Sequence, residues 1–423
     1  MALPKSFSQA RHKWQALSRL VDEKGLVWAG GFLAHRFIGR RRIPQFEGQA
    51  RAEIDAWIAA SDRPVHIYLS TLDWSYPYQQ RPQHIARSLA GRGERVIYVT
   101  PTIGYDRVMA TCEVEAGVLL TPHRSAALAA APNAIVHTLS TDASLDRALV
   151  DSVTSRGGLV IYDYIDALDD AVSSGALDAA RRDLHRHLLQ TEAGIVVLAS
   201  ADVLLAEVAA TRSRAYGLVT NGADTAPFLA AKRADTGLRA DFAAVKASGR
   251  PVIGYYGSFA TWFDYQLVNA LARLRPNYAF VMIGPDLDGT RAELDTGLPN
   301  LTVLPAMAYT DLPRHGTWFD VCLVPFVINE ITLATSPLKI FEYMALGKPT
   351  VSTDMPECRK YKSIDIAMGA GPFAEAVDRV LERGKDPAFV ALAIEEALEN
   401  SWERKVDHIL ALAADASAAR AAN

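Results

Sequence analysis

The sequence predicts an α/β protein of two domains, each built around a largely parallel sheet. Apolar runs typical of buried strands alternate with helical stretches from Val65 onward, as in VHIYLS, RVIYVT and LVIYDYID. The same alternation begins again at Pro251, after a charged, Ala-rich stretch at 226–250. A chain of 423 residues also exceeds what one compact core normally holds, so it fits two domains with a remainder.

The composition is that of a globular protein, with 50% hydrophobic and 22% charged residues. A formal net charge of −4 argues against general nucleic-acid binding, which favours a basic surface. Three widely spaced cysteines suggest neither a disulfide framework nor a metal site, a usage typical of the cytoplasm. The histidines are scattered, so no metal is predicted. No apolar run approaches the roughly 20 residues of a membrane-spanning helix.

Residues 1–60 form a separate segment that we interpret as a basic N-terminal helical arm. Nine Lys and Arg residues stand against three acidic residues in its first 50 positions. The stretch GLVWAGGFLAHRFIGRRR places aromatic and aliphatic side chains beside a basic end. Such a segment suits peripheral contact with a membrane surface or a partner. It suits equally an arm that packs on its own domain with solvated arginines.

The stretch 320–353, DVCLVPFVINEITLATSPLKIFEYMALGKPTVST, carries the clearest functional signal. It predicts strand, polar loop, helix and strand, with Ser336 as the helix N-cap and Pro337 in the first helical position. A helix that starts at the end of a buried strand offers an anion site. Lys339 adds a positive charge, and Glu342 can accept hydrogen bonds from ligand hydroxyls. The alternative is an exposed Lys339–Glu342 ion pair on an ordinary helix.

The segment SPLKIFEYMALGKPTVST resembles the donor-nucleotide helix of GT-B glycosyltransferases, specifically the retaining enzymes of glycosyltransferase family 4. The resemblance implies the GT-B fold, in which two Rossmann-like domains face a central crevice and a C-terminal helix crosses back to the first domain. It also implies that Glu342 holds the nucleotide ribose. The backbone at Thr335, Ser336, Pro337 and Leu338 would then hold the diphosphate.

One departure from the family concerns the donor sugar. Family members commonly carry a first Glu that contacts the sugar, and Ala334 stands at the matching position here. Glu330 or Asn329 could take that role if the loop folds back. We therefore include Glu330 among the substrate-binding candidates.

The segment DWSYPYQQRPQHIARSLAGRGERVIYV resembles the first βαβ unit of a subset of the same enzymes. Pro82 fits the first turn of its helix, and Arg81 would then point into the interdomain crevice. Arg81, Asp73 and Trp74 are substrate-binding candidates from this loop. The alternative is that Arg81 and Gln83 only cap the helix.

Two acidic residues, Asp163 and Asp166, end the strand LVIYDYID. The carboxyl ends of parallel strands face the crevice in which open α/β sheets bind ligands. Both residues are therefore candidates for positioning the acceptor or the sugar, and with Lys339 they make up the catalytic set. Sequence reasoning identifies no firm general base.

In the second domain, Gly257 and Ser258 form a turn whose backbone can approach a diphosphate closely. The wider family usually follows this turn with an Arg and a Lys that bind the diphosphate. No matching pair occurs between Ser258 and Asp264. Lys339 is therefore expected to supply more of the positive charge.

The domain limits follow from these patterns. The phrase Asn221–Asp224 closes the first domain in the family, and Ser401 with Trp402 matches the start of the helix that crosses back. We predict the arm at 1–60, an acceptor domain at 61–230, a linker at 231–250, a nucleotide-sugar domain at 251–398 and a returning helix with a frayed tail at 399–423.

The resemblance implies transfer of a sugar from a nucleotide-diphosphate donor to a glycan, lipid-linked or other acceptor, with retained anomeric configuration. The nucleotide sugar is then a substrate, and no cofactor is required. The expected role is synthesis of a cell-surface polysaccharide or glycoconjugate in the cytoplasm, at the inner face of the membrane if the arm binds lipid. A nucleotide-sugar epimerase and a non-catalytic GT-B scaffold remain alternatives. A nicotinamide-dependent oxidoreductase is disfavoured, because no Gly-x-Gly-x-x-Gly follows a strand.

Overall fold

The computed structural model describes residues 40–102, 104–168, 179–234 and 237–421. The chain divides into two compact units. The first comprises Met1–Tyr76, Leu89–His137 and Arg156–Gly158, and the second comprises Pro77–Ser88, Thr138–Ser155 and Leu159–Asn423. Most of the predicted N-terminal arm lies outside the described residues, which begin at Arg40.

Strands and helices alternate along most of the described chain, as the sequence predicts. The strands are β1 (Val65–Leu69), β2 (Arg95–Val99), β3 (Cys112–Glu115), β4 (Val118–Thr121), β5 (Ile135–Leu139), β6 (Leu159–Tyr164), β7 (Ile195–Ala199), β8 (Tyr216–Leu218), β9 (Val252–Tyr256), β10 (Ala279–Ile283), β11 (Leu301–Leu304), β12 (Val321–Val324), β13 (Thr350–Ser352) and β14 (Ile364–Ile366). The α-helices are α1 (Arg40–Arg42), α2 (Glu47–Ala59), α3 (Arg81–Gly91), α4 (Arg124–Ala130), α5 (Arg147–Ser155), α6 (Ala179–Gln190), α7 (Asp202–Ala209), α8 (Thr225–Ala230), α9 (Ala240–Ala247), α10 (Tyr265–Leu274), α11 (Leu312–Gly316), α12 (Glu330–Leu333), α13 (Lys339–Ala345), α14 (Ala370–Arg383), α15 (Pro387–Glu399) and α16 (Trp402–Ala421).

The first unit holds strands in the order β3-β4-β2-β1-β5. Neighbouring strands are parallel, apart from the antiparallel pair of β3 and β4. Strand β1 pairs with β2 from Val65 opposite Arg95 to Leu69 opposite Val99. Parallel strands with helices on both faces are buried on both sides, and this explains their continuous apolar runs.

The second unit holds the adjacent strands β6-β7-β8 and a sheet in the order β11-β10-β9-β12-β13-β14. All of these neighbours are parallel. The core around β9 is aromatic, with Tyr255, Phe259 and Phe263 buried against one another. The carboxyl ends of β9 and β12 lead into the Gly257 turn and into the loop before α13.

The predicted strands at 117–121, 134–139 and 159–166 correspond to β4, β5 and β6. The sequence does not predict α9, which lies inside the stretch read as a linker, or α12, which lies inside the polar loop. Phe242 anchors α9 by burying its ring against His315 and Phe319. A capping box between Asn329 and Thr332 starts α12. The domain limits themselves stay a prediction.

Helix α16 returns to strands of the first predicted domain, as the resemblance implies, and it packs on β6 and β7. The amide of Trp402 donates to the Ala223 carbonyl at 3.0 Å. The Trp402 ring is fully buried and stacks on His84, with 5.4 Å between ring centroids. The rings of Tyr309 and His84 also make an edge contact, with 5.4 Å between their centroids. This aromatic stack fixes the start of α16 against α3.

The burial of His84 makes an acid-sensitive contribution to stability. Burial lowers the pKa of His84 to about 3, so the folded protein keeps this ring neutral where the unfolded chain protonates it below about 6.5. As pH drops from about 6 towards 3, protonation of this histidine in the unfolded chain is expected to lower the free energy of unfolding by roughly 1.4 kcal/mol per pH unit. Urea denaturation across that pH range measures the slope. His84→Phe keeps the aromatic stack and should reduce the slope of the unfolding free energy against pH by the contribution of about one proton. An unchanged slope in this variant would contradict the prediction.

Three further structural findings bear on the sequence predictions. Within the described ranges, no helix is long and apolar enough to cross a membrane. The same residues contain no group of His, Cys, Asp or Glu side chains arranged to hold a metal ion. Cys322 and Cys358 are buried free thiols, and Cys112 is exposed.

Candidate functional site

The helix at the centre of the predicted donor site begins two residues later than the sequence predicts, at Lys339 instead of Pro337. Leu338 is its N-cap, and no side chain caps it. The Ser336 hydroxyl is buried without a hydrogen-bond partner in the described structure. Tight turns precede the helix, because the amides of Ile340 and Phe341 donate to the carbonyls of Pro337 and Leu338 at 3.2 Å. The predicted N-cap at Ser336 and helical start at Pro337 are therefore wrong.

The later start leaves an irregular loop, 336–338, whose backbone donors are available. Within the described chain, the amides of Ser336, Leu338 and Lys339 donate no backbone hydrogen bond. Thr335 is tied to the preceding α12, because its hydroxyl donates to the Ile331 carbonyl at 2.7 Å. Unpaired amides at the entrance of a helix favour an anion. The loop thus keeps the anion-binding character predicted for a regular helix start.

Helix α13 is buried on every side, with residues 340–345 all inaccessible. Glu342 is only 2% exposed, which contradicts the alternative of an exposed ion pair with Lys339. Burial raises the pKa of Glu342 to about 7. The hydroxyls of Tyr256 and Tyr309 lie beside this carboxylate. Yet neither hydroxyl, nor Oε1 of Glu342, makes a hydrogen bond of ordinary geometry within the described residues.

A buried carboxyl with an unpaired oxygen is unusual, because buried polar atoms nearly always find a partner. Glu342 lies about one helical turn from the Lys339 amide, so the carboxyl is close in sequence and along the helix to the loop amides. Hydroxyl groups of a ligand would satisfy Glu342 Oε1. The geometry therefore suits a ligand that carries both an anionic group and hydroxyls.

Lys339 is half-buried in the first turn of α13. Its Nζ lies 4.6 Å from the ring centroid of Phe326 and 5.3 Å from that of Tyr255. Burial lowers the pKa of Lys339 to about 8, an effect that the nearby Glu342 opposes. An ammonium held by aromatic faces keeps its charge available for a ligand anion.

The turn at Gly257 lies directly against Lys339. A Cβ at position 257 would approach Lys339 Cε to 2.7 Å and Tyr255 Oη to 2.9 Å, and the φ of Gly257 is +146°. The turn is held by its own amide, which donates to Ile283 at 2.9 Å, and by Tyr255, whose hydroxyl donates to the Ser258 carbonyl at 2.9 Å. The structure thus brings together Gly257, Ser258 and Lys339, as predicted from separate motifs.

The residues predicted to contact the sugar lie in or next to the short helix α12, which precedes this loop. Glu330 is exposed at the first position of α12, while Asn329 is its N-cap and accepts from the Thr332 amide at 3.0 Å. Ala334 is buried just after α12. The Asn329 side chain is therefore committed to its helix, and the role of Glu330 stays a prediction.

Arg81 and Asp163 form a buried ion pair. The guanidinium donates twice to the carboxylate, at 2.6 and 3.0 Å, and the two residues are 4% and 2% exposed. Burial raises the pKa of Asp163, and Arg81 opposes this effect. Both oxygens of Asp163 are occupied, which differs from the predicted ligand contact. The charge of Arg81 is likewise neutralised within the protein, so the alternative role of a simple helix cap is wrong for Arg81. Gln83 does accept from the Gln80 amide at the helix start, at 3.1 Å.

Asp166, the second acid of this strand end, is half-buried just after β6. Burial raises its pKa. Unlike Asp163, it follows the strand rather than lying within it. Of the two acids, Asp166 is therefore the better candidate for contact with the acceptor or the sugar. That role stays a prediction.

Asp73 and Trp74 belong to the first unit and hold a loop of that unit. Asp73 is fully buried, and its Oδ2 accepts from the amides of Gly104 and Tyr105 at 2.9 and 2.7 Å. The Trp74 amide donates to Asp106 at 2.6 Å, and its ring packs edge-on against Tyr98. These contacts correct the prediction that Asp73 binds substrate, because its carboxylate accepts hydrogen bonds from backbone amides of the same unit.

Sequence reasoning missed three contributors to the site. Tyr256 and Tyr309 reach Glu342 from the end of β9 and from the turn before α11. Asn221 donates from Nδ2 to the Ser336 carbonyl at 2.7 Å. Each of these contacts joins residues far apart in the chain. The only sequence signal was the Asn-Gly phrase at 221, which is a common turn pattern.

Comparison with known proteins supports this interpretation of the second domain. Residues 250–400 match the family model described as glycosyl transferases group 1. A curated relative from Bacillus subtilis (strain 168), TuaH, described as a teichuronic acid biosynthesis glycosyltransferase, is 26% identical over 262 residues. The match covers 57% of this chain and 64% of TuaH, which is less than two thirds of the relative's length. The predicted resemblance to this group of enzymes is confirmed.

Solved structures extend the likeness to most of the chain. Sucrose-phosphate synthase from Thermosynechococcus elongatus aligns with a TM-score of 0.57 and 15% identity, over 84% of this chain and 100% of that chain. Anabaena HepE in complex with UDP aligns with a TM-score of 0.59 and 14% identity, over the same shares. WaaG, a glycosyltransferase involved in lipopolysaccharide biosynthesis, gives 0.55 and 12%, over 82% and 98%. At such identities the likeness concerns the fold, and the predicted GT-B fold is confirmed.

Proposed function

We propose that this chain, a relative of the group 1 glycosyl transferases with the GT-B fold, transfers a sugar from a nucleoside-diphosphate donor to a hydroxyl of an acceptor and retains the anomeric configuration. The single observation that carries the proposal is the meeting of the Gly257 turn, Lys339 and the buried Glu342 at one site. A Cβ at 257 would lie 2.7 Å from Lys339 Cε. Glu342 has an unpaired, buried carboxylate oxygen on the same helix.

On the donor side, the diphosphate binds the amides of the loop 336–338. It lies against the Gly257 turn, where the lack of a side chain permits close approach of the backbone. The Lys339 ammonium adds a full charge. Glu342 accepts hydrogen bonds from ribose hydroxyls, which orients the nucleotide. UDP is the first nucleotide to consider, because HepE is bound to UDP.

In the transfer step, the bond between the anomeric carbon and the β-phosphate oxygen breaks while the acceptor oxygen bonds to the same face of that carbon. The acceptor proton passes to the leaving phosphate oxygen, so no separate carboxylate nucleophile is involved. Negative charge grows on the diphosphate as the bond breaks. Lys339 and the loop amides stabilise that charge more strongly in the transition state than in the bound donor.

The acceptor side is less defined by the described residues. Asp166 positions the acceptor or the sugar in this proposal. A cell-surface polysaccharide or glycoconjugate is the expected product class, in keeping with the teichuronic acid and lipopolysaccharide pathways named for TuaH and WaaG. Contact of the basic arm with a membrane would bring the enzyme to a lipid-linked acceptor.

The donor site is tested by calorimetric titration of the protein with UDP, GDP, dTDP, ADP and CMP. One nucleoside diphosphate is expected to bind saturably, and Glu342→Gln should weaken it about tenfold, as the loss of one charge-assisted hydrogen bond does. Because the pKa of Glu342 is raised to about 7, wild-type affinity should fall as pH drops below 7 and protonates the carboxyl. The variant should lack that dependence.

Glu375→Gln, an exposed acid on α14, is the matched control and should bind as the wild type does. Absence of binding by every nucleotide would overturn the proposal and favour a scaffold without a donor site, an alternative that the missing acid at Ala334 keeps open. Conversion of the bound donor sugar to its epimer without an acceptor would instead identify an epimerase.

A further inference from the structure

The loop 336–338 needs support from outside, because it belongs to no helix or strand. Its carbonyls at Pro337 and Leu338 accept from the next turn of the chain, whereas the Ser336 carbonyl has a partner distant in sequence. Asn221 Nδ2 donates to that carbonyl at 2.7 Å across 115 positions. The orientation of the Ser336 peptide sets where the following amides point. A single side chain from the first predicted domain thus fixes the start of the donor loop.

The amide of Asn221 is itself oriented by Arg81. A guanidinium can only donate, so the atom of Asn221 that faces it must be the oxygen. Arg81 Nη1 donates to Asn221 Oδ1 at 3.4 Å and to the Thr220 carbonyl at 3.0 Å. Nδ2 is therefore the atom left for Ser336.

Arg81 is fixed in turn by the bidentate bond to Asp163 and by the ring of Trp402, whose centroid lies 5.7 Å from the guanidinium carbon. Planar bidentate pairing holds a guanidinium in one orientation. The Thr220 hydroxyl next to this network accepts from Lys405 on α16 at 2.7 Å. The whole chain of contacts lies in the second unit. Arg81, Asp163 and Ser336 are buried, and Asn221 between them is half-buried.

We propose that Asn221 is a positioning residue for the donor diphosphate, oriented by the Arg81–Asp163 pair and acting through the Ser336 carbonyl; this rests on the proposed function. Asn221 contacts no phosphate. It holds the loop so that the amides of Ser336, Leu338 and Lys339 face one anion. Asp163 on β6 and Arg81 on α3 thereby contribute to donor binding without contacting the donor.

The discriminating variant is Asn221→Asp. A carboxylate at this position still accepts from Arg81 but can no longer donate to Ser336. One carboxylate oxygen then faces the carbonyl oxygen of Ser336. The probes are the nucleoside diphosphate that binds the wild type best among UDP, GDP, dTDP and ADP, and the nucleoside of the same base. The diphosphate should bind about tenfold or more weakly, while the affinity for the nucleoside stays within twofold. The ratio of the two dissociation constants is the readout.

Asn269→Asp is the matched control, because Asn269 also donates from Nδ2 to a carbonyl, that of Glu293 at 2.8 Å, and is 4% exposed. It should lower the melting temperature without changing the ratio. If Asn221→Asp does not fold, Asn221→Ser, which cannot reach the Ser336 carbonyl, takes its place. An unchanged ratio in a folded Asn221 variant overturns this inference alone. Failure of the wild type to bind any of the nucleotides overturns the proposed function and this inference with it.

Discussion

Lys339→Met is expected to lower kcat/KM for sugar transfer by about 100- to 1000-fold, the range seen when one group that stabilises developing negative charge is removed. Methionine keeps the length and apolar contacts of the side chain against Phe326 and Tyr255. The free energy of unfolding should stay equal or rise, because burial disfavours the charged form of Lys339 in the folded protein. Steady-state release of the nucleoside diphosphate measures the first effect, and urea denaturation the second.

The matched variant for this prediction is Lys339→Arg, which keeps a positive charge. Because burial lowers the pKa of Lys339 to about 8, donor affinity of the wild type should decline as pH rises through 8 and the ammonium loses its proton. The guanidinium stays charged above that pH, so the variant should not show the decline. Equal activity of Lys339→Met and wild type would show that this charge does not stabilise the leaving diphosphate.

Gly257→Ala is expected to reduce kcat/KM about 100-fold while leaving the protein folded. The new methyl group would lie 2.7 Å from Lys339 Cε and 2.9 Å from Tyr255 Oη. The lysine side chain must therefore move, and a small displacement of a catalytic group lowers the rate strongly. Tyr255 also supports the turn through the Ser258 carbonyl. The φ of +146° adds backbone strain. Single-turnover transfer and nucleotide titration separate the effect on chemistry from that on binding.

Gly249→Ala separates strain from displacement. Gly249 also has a positive φ, +66°, but a Cβ there would meet nothing within 4 Å. This variant should lose roughly 1 kcal/mol of stability, the order expected for a left-handed non-glycine residue, and retain full activity. Equal losses of activity in the two variants would mean that backbone strain, rather than the contact with Lys339, explains the result at Gly257.

Several features of the donor site could be predicted from local sequence because they depend on neighbours in the chain. Lys339 and Glu342 share a helix, and the spacing Ser-Pro-x-Lys-x-x-Glu places them near one helix start. Gly257 follows a continuous apolar run, where a parallel strand must end in a turn. These inferences needed only helix geometry and the burial of parallel strands, and the resemblance supplied the ligand.

Other features depend on residues that are distant in sequence. The ion pair of Arg81 with Asp163 spans 82 positions, and the bond of Asn221 to Ser336 spans 115. A pattern along the chain marks Arg81 and Asp163 as residues near a crevice, yet it does not reveal that they neutralise each other. The late start of α13 has the same origin, because Asn221 takes the carbonyl of the residue that local propensity selects as the N-cap.

The sequence by itself determined the alternation of strands and helices, the restart at Pro251, and the residues on one helix that can meet an anion and a hydroxylated ligand. Periodicity and capping act within a few residues, so they can be read along the chain. Only the tertiary structure decided which charged groups are held by the protein. Asp73 and Asp163 accept hydrogen bonds from protein groups, whereas no ion pair of Lys339 occurs among the residues that the structure describes. That distinction depends on hydrogen bonds across elements and on burial, because the partner that satisfies a charged group is set by the fold and not by its neighbours in sequence.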